Sequence, residues 1–150
     1  MAPPPFPRPW ALALLLLVAA CAAARPIGLD TVSIRAAPDA NGNGAVAVDV
    51  VLVTRLGAGD QVAKLAATEW FRRKQQLIRD NPDGLSVMSW ELVPGQSISA
   101  PVHRSALDAY VFASYASPGD HRTRLAVEGD EAKIMLQATD FVVEGLKKVD

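Results

Sequence analysis

The sequence predicts a mainly β domain: a two-sheet β-sandwich of seven or eight strands, with a helical insertion between strands two and three. Three observations predict it. From Thr31 onward, short runs rich in β-branched and aromatic residues alternate apolar and polar side chains. Asn-Gly, Pro-Gly and Gly-Asp pairs punctuate these runs at short, regular intervals. Only between Asp60 and Asp80 does the apolar period change to that of a helix.

The chain before that domain has its own logic. Arg8 precedes an unbroken apolar run from Trp10 to Ala20, about 11 residues, the size of a signal-peptide core and well short of the roughly 20 that span a bilayer. The run ends in Leu17-Val18-Ala19-Ala20-Cys21, which resembles a bacterial lipobox. Small side chains at Ala19 and Ala20 let a processing enzyme reach the backbone just before Cys21. Residues 1–20 therefore read as a lipoprotein signal peptide, with Cys21 as the lipidated first mature residue. The class this resembles adds further acyl chains at the Cys21 amine, and a multiply acylated residue anchors stably where a single chain binds only marginally. Ala22 follows where an Asp would redirect sorting, so the class rule sends the protein to the outer membrane. The competing reading is an ordinary secretory signal cut within Ala22-Ala23-Ala24, since Pro3, Pro4, Pro5, Pro7 and Pro9 leave Arg8 as the one fixed side-chain charge ahead of the apolar run. Both readings export the protein.

About 130 residues remain, enough for one domain with a real core. Losing the leader removes only Arg8 from the 15 Lys and Arg, which stay close to balance with the 16 Asp and Glu. A nucleic-acid binder would show a marked basic excess. Cys21 is the single cysteine, so the exported domain has no disulfide and no Cys-based zinc site. Residues 21–29 read as a lipidated tether spanning at most ~27 Å beyond the cysteine. Residues 30–150 read as the sandwich.

Within it, Thr31 to Ala36 alternates, with Val32 and Ile34 on one face. The run Pro38 to Gly44 holds two Asn-Gly pairs suited to positive φ and reads as an exposed loop. Ala45 to Thr54 is the best central strand, with Val46, Val48, Val50 and Leu52 on one face and Asp49 on the other. Asp60 is placed to cap a short helical segment through Leu65, and Thr68 to cap a longer one. In that second helix Trp70, Phe71, Lys74, Leu77 and Ile78 share a face, with Arg72, Arg73 and Arg79 toward solvent. Asn81-Pro82-Asp83-Gly84 stops it. Further strands follow at Leu85 to Leu92, Ser97 to Val102 with Pro101 marking an edge, Ala109 to Ser117, Arg122 to Glu128, Lys133 to Ala138 and Phe141 to Glu144.

Chemistry-bearing motifs are few. Asp39-x-Asn41-x-Asn43-Gly44 copies the first half of a calcium loop, but the position needing a bidentate Glu is Val50, so the run reads as a turn. His103 and His121 lack metal-motif neighbours apart from Asp120 and read as surface histidines. No nucleophile elbow, P-loop or dinucleotide fingerprint occurs, and the sequence calls for no enzyme, cofactor or small-molecule substrate. Arg72, Arg73, Lys74 and Arg79 read as a solvated helix face, and Trp70, Phe71 and Trp90 as core.

Several phrases, in order, resemble the outer-membrane lipoprotein of type VI secretion systems, the TssJ-type family. They are the lipobox at Val18 to Cys21, a first strand ending in a polar loop at Asp39 to Asn43, and a Val-rich strand ending in Val53-Thr54-Arg55-Leu56. A helical insertion around Leu65 to Asp80, Leu92-Val93-Pro94-Gly95-Gln96, and strands Tyr110 to Tyr115 and Arg122 to Val127 complete the series. The resemblance implies a transthyretin-like sandwich on the periplasmic face of the outer membrane. Its partner would be the periplasmic region of a TssM-type inner-membrane protein. The loop between the first two strands would contribute to the contact, here Pro38, Asp39, Ala40, Asn41, Gly42 and Asn43. Trp70-Phe71-Arg72-Arg73 departs from the family pattern. The reading from another class is an exported envelope lipoprotein that binds a ligand or protein outside secretion.

Overall fold

A computed structural model describes residues 1–2 and 24–147. The expected lipidation site Cys21 and the expected signal segment 1–20, apart from its first two residues, lie outside them. The strands are β1 (Thr31–Ala36), β2 (Val46–Val53), β3 (Leu85–Leu92), β4 (Ser97–Pro101), β5 (Asp108–Ala113), β6 (Arg122–Arg124), β7 (Glu131–Leu136) and β8 (Phe141–Glu144). They form two four-stranded sheets, β4-β1-β7-β8 and β3-β2-β5-β6, the mainly β sandwich expected, with helices between the second and third strands. Every pairing is antiparallel except β1 with β7, which run parallel from Thr31 opposite Glu131 to Ala36 opposite Leu136.

Alternation along each strand builds the core. Val32 and Ile34 of β1, Val46, Val48 and Val50 of β2, Val111 of β5 and Ile134 of β7 meet between the sheets, all buried. The central strand β2 is buried on its other face too. There Val51 and Val53 join Tyr110 and Phe112 of β5 beneath Trp70 and Leu77 of the helix α2 (Ala67–Asp80). The helix thus forms a third layer on the outside of the second sheet.

Several boundaries move. Asp60 and Thr68 do not cap: Ala58 and Ala66 hold those positions without side-chain hydrogen bonds, and the first helix, α1 (Gly59–Val62), is a single turn. Tertiary structure supplies what a Thr cap would have given, because the Ala67 amide at the start of α2 donates to the Asp120 carbonyl at 2.8 Å. β6 stops at Arg124 because the chain leaves its sheet. Val127 instead bridges Leu146, and the Lys147 amide donates to Ala126. The body also begins before Asp30. Ile27, read as tether, donates its amide to Ala106 at 2.7 Å, and Leu29 is buried. No helix of the described residues is long and apolar enough to cross a membrane.

Candidate functional site

With β4 antiparallel and β7 parallel to β1, and β3 and β5 antiparallel to β2, several connections meet at one end of the sandwich. They are the β1–β2 loop (37–45), the β3–β4 turn (93–96), the β5–β6 loop (114–121) and the β7–β8 turn (137–140). The first of these carries the candidate docking residues. Pro38, Asp39, Gly42 and Asn43 are exposed and Asn41 is half-buried. Ala40 is fully buried, so the loop is not exposed throughout. It turns tightly over Ala40–Asn43, where Asn41, Gly42 and Asn43 all take positive φ of 47°, 60° and 68°. Asn and Gly suit that conformation, as the two Asn-Gly pairs anticipated.

Asn41 locks the loop. Its side-chain Nδ2 donates to the Ala45 carbonyl at 2.9 Å and its Oδ1 accepts from the Ala116 amide at 2.8 Å. Its own amide donates to Gln137 at 3.1 Å. One residue therefore ties three connections together. These bonds make Asn41 a structural residue of the turn. Among the described residues, no three His, Cys, Asp or Glu groups are placed to hold a metal.

His121 departs from its reading as a surface histidine. It is 6 % exposed, in the left-handed region at φ 44°, with its ring 4.9 Å from that of Tyr115. Nδ1 lies 2.9 Å from Asp140 Oδ1 across the β7–β8 turn, and Nε2 lies 2.8 Å from the Ser117 carbonyl. Ser117 Oγ donates to the Thr139 carbonyl, a second link between the same two connections. Nothing in the sequence joins His121 to an aspartate 19 positions on. The only signal was Ser117-Pro118-Gly119, which marks a tight turn in front of it.

The helix covers the other buried polar side chain. Asp49 of β2 is 1 % exposed and accepts from Trp70 Nε1 at 2.8 Å and Lys74 Nζ at 3.0 Å. Trp70 stacks on Phe112 with centroids 5.1 Å apart. Lys74, read as part of a solvated basic face, is thus committed inward, whereas Arg72 pairs along the helix with Glu69. Arg122 donates to the Ala63 and Leu65 carbonyls, tying the start of β6 to the connection between the helices.

No family model matches the chain, and no curated protein matches it by sequence. Solved structures do. The T6SS lipoprotein TssJ1 from Pseudomonas aeruginosa superposes with a TM-score of 0.58 at 14% identity, covering 82% of this chain and 100% of that one. A chain of a structure described as a type VI membrane complex gives 0.60 at 17% identity, covering 77% and 98%. One from a structure described as the C-terminal domain (869–1107) of the T6SS protein TssM from EAEC gives 0.58 at 16%, covering 75% and 98%. The fold is therefore the one that the TssJ-type resemblance implied.

Proposed function

We propose that the chain is a non-catalytic anchor of a type VI secretion membrane complex. Acyl chains on Cys21 hold it in the outer membrane, on the periplasmic face, and its loop end binds the periplasmic region of a TssM-type inner-membrane protein. The observation that carries this reading is the fold likeness to a T6SS lipoprotein over that protein's whole length, in a chain whose sequence also offers a lipobox cysteine.

The layout of the sandwich suits the role. The N-terminal segment enters β1 at one end, and Pro38 to Asn43 emerge at the other, about 20 Å away along a strand of 6 residues. A lipid at the first end leaves the second free to face away from the membrane. The docking residues sit on a loop held rigid by Asn41, so little ordering entropy opposes binding.

A crosslinked pull-down of the membrane-anchored protein from its own cells, read by mass spectrometry, tests the reading. A large inner-membrane protein with a periplasmic C-terminal domain is expected, and Asp39→Ala with Asn43→Gly should diminish its recovery. Capture of bulk envelope proteins alone would leave only a shared fold and favour an unrelated binding module.

A further inference from the structure

We propose that His121 is a pH-sensitive latch on the loop end, closed when both ring nitrogens are protonated and loosened when one proton leaves. The proposal concerns regulation of the docking site and takes its biological meaning from that reading. Its physical content stands without it.

The geometry is decisive about the proton count. Both nitrogens face acceptors that carry no hydrogen of their own: the Asp140 carboxylate at 2.9 Å and the Ser117 carbonyl at 2.8 Å. A neutral imidazole has one N–H, so one of these oxygens would then oppose a lone pair. Only the imidazolium satisfies both. The ring cannot easily turn away, because it is held against Tyr115 and Gly119, where an added Cβ would lie 2.8 Å from Cε1.

The surroundings agree. Burial opposes the charged ring. The hydrogen bonds to Asp140 and Ser117, with the negative charges of Asp140 and Asp120, outweigh that cost and raise its pKa above the ordinary 6.5. Burial pushes the Tyr115 phenol up to about 12, so it stays neutral throughout. The neighbouring Arg122 directs its guanidinium to the Ala63 and Leu65 carbonyls. A group with a raised folded pKa contributes fully below about 6.5 and loses that contribution as pH rises through the raised value. The latch therefore holds in mildly acidic medium and loosens toward alkaline pH. Because Asn41 rests on Ala116 and Gln137, loosening the β5–β6 loop and β7–β8 turn also slackens the docking loop.

The test uses the full chain in detergent micelles and needs no partner, so its failure is separable from failure of the docking reading. The His121 ring is titrated by NMR, and hydrogen exchange of segments 37–45, 114–121 and 137–141 is compared at pH 5.5 and 8.5 after correction for intrinsic exchange. A His121 midpoint above 6.5 is expected, with protection in all three segments falling together by at least about threefold at the higher pH. His121→Gln should abolish that pH dependence. Asp140→Asn, at an exposed position, should lower the midpoint without unfolding the chain. A midpoint at or below 6.5, equal protection at both pH values, or unchanged pH dependence in His121→Gln would each overturn the proposal.

Discussion

Asn41 and Asp39 sit two positions apart and should behave differently. Asn41→Ala removes two side-chain hydrogen bonds and places a Cβ residue at φ 47° without the side chain that compensates for it. It should cost ~2 kcal/mol, read from urea denaturation. Asp39 is exposed and makes no capping bond, so Asp39→Ala should stay within about 0.5 kcal/mol while weakening partner capture. At this scale the sequence announced the conformation but not the partners. Two Asn-Gly pairs signal left-handed backbone, whereas the amide that Asn41 accepts from lies 75 positions away. His121 shows the same limit. A polar residue after a Pro-Gly turn reads as surface until the fold brings Asp140 against it.

The strands were legible because each has a side to bury. β1, β3 and β8 run as their alternation indicates, and Pro101 does mark an edge strand. Helix starts were less legible, since a carbonyl from the β5–β6 loop replaced the side-chain cap that Thr68 suggested. Asp49 carried a readable hint, sharing the period of Val51 and Val53, a pattern that fits a face covered by another element. What covers it is α2, held by the Asp49–Trp70–Lys74 contacts. Removing one member of a buried pair strands the other, so Asp49→Ala should destabilise by ~3 kcal/mol. Lys74→Ala should cost a similar amount. The double variant should cost clearly less than the two combined, because a single interaction is being removed twice. Additive losses in a thermal or urea cycle would show that the helix is moored by packing alone.

For the molecule as a whole, attachment is the testable property. Cys21→Ser should move the protein from the membrane pellet to the soluble periplasmic fraction, with its unfolding midpoint unchanged. Retention in the pellet would point to another anchor. Spacing is the companion prediction: because Ile27 is already part of the body, the six residues from Cys21 reach at most ~20 Å, and inserting a flexible Gly-Ser segment after Ala24 should leave folding intact while weakening complex capture.

The course of β1 has a mechanical consequence. A pull between a membrane-held N-terminus and a partner gripping Pro38 to Asn43 would run along the axis of β1. That strand is flanked on both sides, by β4 and by the parallel β7, in unbroken register. Tension in this direction passes along the already extended covalent backbone of β1 itself, so the flanking ladders keep the strand in place without having to bear the load. Force applied across the same strand would meet their hydrogen bonds singly. A protein hung this way bears load along one line through its fold and yields readily to a sideways pull.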